Sequence, residues 1–256
     1  MILAVDVGNT NIVIGGFSAD GSLEFKLRIG TDAKKTTDEY KVLLNSVVSM
    51  YGLNTPFEGV VLSSVVPSVT SAITGALEEI SKSGVLVVGP GVKTGFEIKL
   101  DDPSELGADL ASSTAGAIKK YQLPVLVIDL GTATKFTAVS DKGAFLGGSI
   151  LPGVKISADA LFSSAALLSS VSLKGNVALI GKNTSQCIQS GILLGSASMI
   201  DGMIKRYKEE LGDSLTVVAS GGLSSMVIPH CKENIIIDED LVLDGLYAIY
   251  IKNKNK

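Results

Sequence analysis

The chain opens on an apolar run, Met1 to Val5, that delivers Asp6-Val7-Gly8-Asn9-Thr10-Asn11 into a polar turn. Ile12 to Phe17 then alternates as a second strand and ends at Asp20-Gly21, the pattern of a β-hairpin. Beyond the polar stretch Arg28 to Thr37, Thr36 and Glu39 have the spacing of a capping box, opening a helix through Val42, Leu43, Val47 and Val48. Gly59 to Val66 reads as a buried strand stopped by Pro67. A helix over Val69 to Lys82 and a strand over Val85 to Val88 follow. Strands alternating with helices predict an α/β domain around a central sheet.

Further on, Asp102-Pro103 reads as an N-cap and first helical position, leading into a helix that ends near Lys119-Lys120. This places Asp109 on or near the helix's first turns, after the small Gly107-Ala108. Ser157 to Leu168 reads as a helix of high propensity. Thr184 is expected to cap a long amphipathic helix to about Leu211, with Ile188, Ile192, Met199 and Ile204 on its apolar side and Gly191 and Gly195 suited to close packing. Leu215 to Leu223 reads as a strand running through Gly221-Gly222 into a helix. A last helix, Leu241 to about Ile251, packs back on the body, and Lys252 to Lys256 are expected to be disordered.

One unit of this pattern occurs twice. Val125 to Ile128 leads into Asp129-Leu130-Gly131-Thr132-Ala133-Thr134, and Phe136 to Val139 ends in a turn at Asp141-Lys142-Gly143, repeating strand, Asp-x-Gly and second strand about half a chain later. The chemistry of the repeated turn suits a nucleotide's phosphates. Backbone N–H groups approach over glycine, Asn and Thr side chains donate, and Asp6 can hold the accompanying metal. Taken singly, the first motif fits an ordinary polar hairpin turn equally well. Its recurrence favours two hairpins clamping a polyphosphate, and Gly221-Gly222 then suits the flat adenosine ring.

Composition narrows the classes. With 46% hydrophobic and 19% charged residues among 256, the chain can bury a core large enough for two domains. No apolar run is expected to reach the roughly 18 residues of a membrane span, and Met1 to Val5 lacks the features of a signal peptide. A net charge of −4 and pI near 5.1 disfavour a nucleic-acid surface. Cys187 and Cys231 have no metal or redox spacing, which points to a reduced, cytoplasmic protein. His230, the one histidine, has no nucleophile motif near it. Gly89 to Gly95 is a flexible turn or a lid. A P-loop is rejected, because Gly181-Lys182 has Gly175 one residue too far back and is followed by Asn183.

The two Asp-x-Gly motifs resemble the phosphate motifs of the actin, heat-shock chaperone and sugar-kinase superfold. Together with Gly107-Ala108-Asp109, Gly147-Gly148, Leu151-Pro152-Gly153 and Ser220-Gly221-Gly222-Leu223, they resemble type III pantothenate kinase along essentially the whole chain. The resemblance implies two ribonuclease-H-like α/β domains from an internal duplication, 1–117 and 118–256, with ATP in the cleft between them. It further implies a cytoplasmic homodimer that phosphorylates pantothenate in the first step of coenzyme A synthesis, with neither nucleic-acid nor membrane partners.

Carried onto this sequence, the resemblance assigns ATP to Asp6, Val7, Gly8, Asn9, Thr10, Asn11, Ile12, Val13, Gly131, Thr132, Thr134, Gly221 and Gly222. Asp109 becomes the general base. Pantothenate is assigned to Leu100, Gly107, Ala108, Asp109, Leu110 and Thr184, with the acceptor site shared across the dimer. Mg2+ is assigned to Asp6, directly or through water, and a monovalent cation, K+ or NH4+, to Asp129. Leu100 and Leu110 depart from the tyrosine and arginine common at these positions, and Arg28, Lys93 or Lys99 could instead supply a cation for the substrate carboxylate. Gly147 to Gly153 is expected as a turn into a helix. Two rivals stand beside this reading: a non-catalytic ATP-binding regulator derived from the family, and an ATP-driven assembly protein of the superfold.

Overall fold

The computed structural model describes residues 1–164, 171–173 and 177–254. They form two compact units. The first comprises Met1–Phe96, Leu100–Lys119 and Leu241–Lys256, and the second Glu97–Lys99 and Lys120–Asp240.

In the first unit, β1 (Ile2–Val7), β2 (Asn11–Phe17) and β3 (Leu23–Gly30) form an antiparallel meander. After α1 (Thr37–Met50), β4 (Gly59–Ser64) returns parallel to β1, and α2 (Pro67–Glu78) leads to β5 (Val85–Val87), giving the order β3-β2-β1-β4-β5. The capping box holds as expected: Thr36 N–H donates to Glu39 Oε2 at 2.7 Å, and Glu39 N–H donates to Thr36 Oγ1 at 3.4 Å. Within α1 it is Tyr40, Leu44 and Val47 that are buried, three and four apart, whereas Val42 is 68% exposed. Pro67, expected to stop a strand, occupies the first position of α2, where its missing N–H costs nothing.

Asp102 does not open the long helix. Its carboxylate accepts from Ser104 N–H at 2.8 Å and caps a separate 3-10 turn, Pro103–Glu105. Leu106 is extended, so α3 (Ala108–Lys120) starts afresh after Gly107.

The second unit repeats the plan. Strands β6 (Val125–Leu130), β7 (Ala133–Val139) and β8 (Phe145–Pro152) form the meander, followed by α4 (Val154–Ser164) and α5 (Thr184–Leu211). Strand β9 (Thr216–Ser220) returns parallel to β6 before α6 (Ser224–Val227) and β10 (Ile236–Ile237), giving the order β10-β9-β6-β7-β8. Both meanders carry a register shift at the same place, Gly16/Phe17 and Ala138/Val139. Gly147 to Pro152, expected as a turn, is strand: Gly148 lacks the Cβ that would meet the Phe136 carbonyl, so β8 lies close against β7. The turn comes at Gly153. The expected helix Ser157 to Leu168 is described as far as Ser164, and 165–168 lie outside the described residues.

Asn183, not Thr184, caps α5, accepting from Gln186 N–H at 3.0 Å; Thr184 is the first helical residue. Ile188, Leu193, Ala197, Ile200 and Ile204 are buried, with Ile192 and Met199 partly so. Contrary to expectation, α5 is long and apolar enough to cross a membrane by length and composition, yet Leu193, Ala197, Ile200 and Ile204 lie in the core of the second unit.

The chain's final helix corrects the expected division at 117/118. Helix α7 (Leu241–Asn253) belongs to the first unit, packing Leu243, Leu246, Tyr247, Ile249 and Tyr250 with Ile2, Ala4 and Phe17. Glycines make this possible: an added Cβ at Gly245 would run into the Ser112 carbonyl, and one at Gly116 into that of Leu241. The helix also includes Lys252 and Asn253 of the tail expected to be disordered. Asn253 Nδ2 donates to the Lys93 carbonyl at 3.0 Å, anchoring the glycine-rich 89–95 segment.

Candidate functional site

Alternation along β1 sends Leu3, Val5 and Val7 to the face covered by α1 and α2, and Ile2 and Ala4 to the face covered by α3 and α7. Asp6 continues the second set. Its side chain therefore projects on the face where α3 packs through Ala108, Ala111 and Ala115, and Asp109, in the first turn of α3, is on that same side of the sheet. The turn after β1 is closed by Gly8 N–H donating to the Asn11 carbonyl at 3.0 Å, with Asn9 and Thr10 exposed at its tip. Thr31 clasps it from β3's end: Oγ1 donates to the Gly8 carbonyl at 2.6 Å and N–H to the Thr10 carbonyl at 3.0 Å. The sequence reading missed Thr31, since the contact spans 23 residues. Val7 and Ile12 are fully buried in the core, which leaves only their backbones for a ligand, and Val13 is partly buried.

Beside Asp6 in the parallel register stands Ser63, fully buried, with no hydrogen-bond partner for its Oγ among the described residues. A hydrated Mg2+ fits this donor set. That ion takes one or two carboxylates, waters and substrate phosphates rather than a cage of side chains, and no group of three or more His, Cys, Asp or Glu suited to a metal occurs among the described residues.

In the second unit the turn after β6 is tighter, with Gly131 N–H donating to the Ala133 carbonyl at 3.1 Å. Two further glycine positions back it. A Cβ on Gly153 would strike the Thr132 and Gly131 carbonyls, while Gly221, at φ +94°, sets its Cα against Asp129, whose Oδ1 would lie 2.6 Å from an added Cβ. Leu223 N–H donates to the Leu130 carbonyl at 3.1 Å, tying the glycine turn after β9 to the hairpin. Thr132 is exposed at the tip, and Thr134 is buried, its Oγ1 without a partner among the described residues. Asp129 Oδ2 lies 2.9 Å from Lys135 Nζ. The carboxylate expected to hold K+ or NH4+ thus already carries an ammonium, and a further cation does not fit the site as it stands.

The acceptor residues divide between units. Leu100, Gly107, Ala108, Asp109 and Leu110 belong to the first, and Thr184 to the second. Asp109 Oδ1 accepts from Leu110 N–H at 2.8 Å and lies over Gly107, where an added Cβ would come within 2.8 Å of it. Gly107 thus gives the carboxylate its room. Leu100 and Leu110 are half-buried. Lys99 pairs with Glu97 at 3.8 Å in the second unit. Burial, helped by the Asp201 carboxylate, pushes the Cys231 thiol up to about 12, far from nucleophilic use.

Two sheets of this order, each with an Asp-x-Gly hairpin, define the sugar-kinase class of ATP-binding folds. Among solved structures, a 2-dehydro-3-deoxygalactonokinase-like protein from Sinorhizobium meliloti matches with a TM-score of 0.62 at 12% identity, over 98% of this chain and 96% of its own. A protein described as a Baf family transcriptional activator from Campylobacter jejuni matches at 0.58 and 16%, over 99% and 100%. At such identities these show the fold alone.

Sequence relatives narrow the class. The family model for type III pantothenate kinase matches residues 2–206. The type III pantothenate kinase of Moorella thermoacetica is 43% identical over 254 residues, covering 99% of this chain and 100% of the relative. That of Bacillus cytotoxicus is 40% identical, covering 99% and 97%. The chain belongs to the type III pantothenate kinase family.

Proposed function

We propose that this chain transfers the γ-phosphoryl group of ATP to the primary hydroxyl of pantothenate, giving 4′-phosphopantothenate, the first step of coenzyme A synthesis. The observation that carries the reading is that full-length kinship coincides with an intact Asp6, Asp109 and Asp129, the first two on one face of the first unit's sheet.

Gly8 to Asn11 and Gly131 to Thr134 hold ATP phosphates by backbone N–H groups and by the side chains of Asn9, Thr10, Asn11 and Thr132, while Gly221 and Gly222 lie against adenosine. Asp6, with Ser63 beside it in the sheet, would hold a hydrated Mg2+, which would supply neutralisation of the phosphoryl charge. Asp109, fixed by the Leu110 N–H, orients the acceptor hydroxyl and takes its proton late, as a loose transition state requires. Leu100, Gly107, Ala108 and Leu110 of the first unit, and Thr184 of the second, are the pantothenate contacts of this reading. With leucine at 100 and 110, the pantothenate carboxylate needs a cation from elsewhere, and Arg28 and Lys93 remain as donors.

The enzyme is a cytoplasmic homodimer that takes neither nucleic acid nor membrane as partner. Its interface centres on α5, where added Cβ atoms at Gly191, Gly195 and Gly202 would meet nothing, and on the neighbouring Leu179 and Ile180, 76% and 81% exposed.

The test is pantothenate-dependent ADP release by wild type and Asp109→Asn. Turnover should fall by about 100-fold or more in the variant while ATP binding persists. Folded protein that binds ATP but shows no acceptor-dependent turnover would instead support the regulator reading.

A further inference from the structure

Asp129 and Lys135 oppose each other across the antiparallel pair β6 and β7, and that register holds Oδ2 and Nζ 2.9 Å apart. Neither is fully in water, the side chains being 27% and 18% exposed. At the duplicated position of the first unit Asp6 opposes Val13, an apolar residue. The two hairpins therefore solve the same electrostatic problem differently. A carboxylate at the root of a loop that receives polyanionic phosphates repels them unless a cation stands between. In the first unit the residue opposite the aspartate on β2 carries no charge. In the second a cation is built into the strand.

The carboxylate's two oxygens are both faced by protein. Oδ2 meets the ammonium, and Oδ1 lies against the Gly221 and Gly131 backbones, where added Cβ atoms would stand 2.6 and 3.4 Å away. A free ion would have to displace the lysine to reach Oδ2. An ammonium presents several N–H donors, so Lys135 can bind the carboxylate with one and phosphate oxygens with the others.

We propose that Lys135 is the resident monovalent cation of the Asp129 loop, neutralising the carboxylate and positioning ATP phosphate oxygens, so that nucleotide binding needs no added K+ or NH4+. The proposal rests on the reading of this loop as nucleotide-binding, but not on the identity of the acceptor.

Affinity for Mg·ATP is measured by titration calorimetry on the full chain, in choline, sodium, potassium and ammonium chloride at equal ionic strength. Wild type should bind within about twofold of the same affinity in all four. Lys135→Thr, which keeps a strand-favouring residue, should bind about tenfold more weakly in choline and recover when potassium or ammonium replaces it. Lys135→Arg, retaining the charge, should behave as wild type. Wild type that needs K+, or a threonine variant indifferent to its loss or not rescued by any small cation, overturns the proposal. If the threonine variant fails to fold, wild type and the arginine variant decide it by their cation dependence. Absence of pantothenate-dependent turnover with these affinities intact would sink the acceptor reading alone, whereas folded wild type that binds no nucleotide would sink both.

Discussion

In the first unit Val7 pairs with Ile12 and residues 8–11 turn the chain; in the second Leu130 pairs with Thr134 and residues 131–133 suffice. The strand order, the place of the register shift and the serine beside each aspartate, Ser63 or Ser220, are the same. What differs is the support. The longer loop is clasped from the side by Thr31 and has an apolar residue opposite its aspartate, while the shorter one is backed by Gly153 and Gly221 and carries Lys135. A duplicated backbone plan thus preserves hydrogen-bonded geometry, which fixes where a phosphate can lie, and leaves charge balance to be set separately in each copy.

Breaking the backbone support should separate the loops most sharply. Gly221→Ala puts a Cβ into Asp129 and the Leu130 backbone at a positive φ, and should cost about 1–3 kcal/mol of stability together with most nucleotide affinity. Gly8→Ala brings a Cβ to 3.3 Å from the Asn11 carbonyl without a positive φ, so thermal unfolding should find a smaller loss of stability than in Gly221→Ala. Equal losses in the two variants would mean that the loops are not supported differently.

A smaller effect is expected at Thr31. Thr31→Val removes the side-chain bond to the Gly8 carbonyl and should weaken Mg·ATP binding several-fold, by about 1 kcal/mol, without touching the second loop. The same titration in the presence of Gly221→Ala should show additive losses if the loops are independent.

The smallest effect concerns acid. In the first unit the carboxylates held below their usual range are exposed ones in local turns and caps, such as Asp32, whose chief cause is the Lys34 N–H, and Asp102, whose chief cause is the Ser104 hydroxyl. In the second unit Asp238 is buried, which by itself would raise its pKa. Hydrogen bonds from Lys120 at 2.7 Å and Tyr121 at 2.8 Å outweigh that, and the net shift is downward. A depressed folded pKa means stability fully present above the unfolded carboxylate value, about 3.9, and lost as pH falls through the lower folded one. Denaturant melts from pH 6 to about 2 should therefore show Asp238→Asn less stable at neutral pH, with a shallower decline in acid than wild type.

Much of the architecture was legible because its causes are local. The capping box at Thr36 and Glu39, the alternation in both hairpins and the glycine turn after β9 depend on residues a few positions apart, where propensity and hydrogen bonding act before tertiary contact does. The repeated Asp-x-Gly signal pointed to the duplicated strands for the same reason. The local misreadings were cases where two nearby residues compete for one role, such as Asn183 against Thr184 as the cap of α5, or Asp102 capping a short turn before Gly107 resets the chain.

The sequence by itself determined the two hairpins, their glycines and the α/β class, since backbone geometry and two-residue alternation are written within short windows. Only the tertiary structure decided that α7 belongs to the first unit, that Thr31 clasps the Gly8 loop and that Lys135 lies on Asp129. Those outcomes depend on strand register and on how closely backbones approach across long stretches of chain, as where Gly245 meets the Ser112 carbonyl, and no local pattern of residues encodes such a distance.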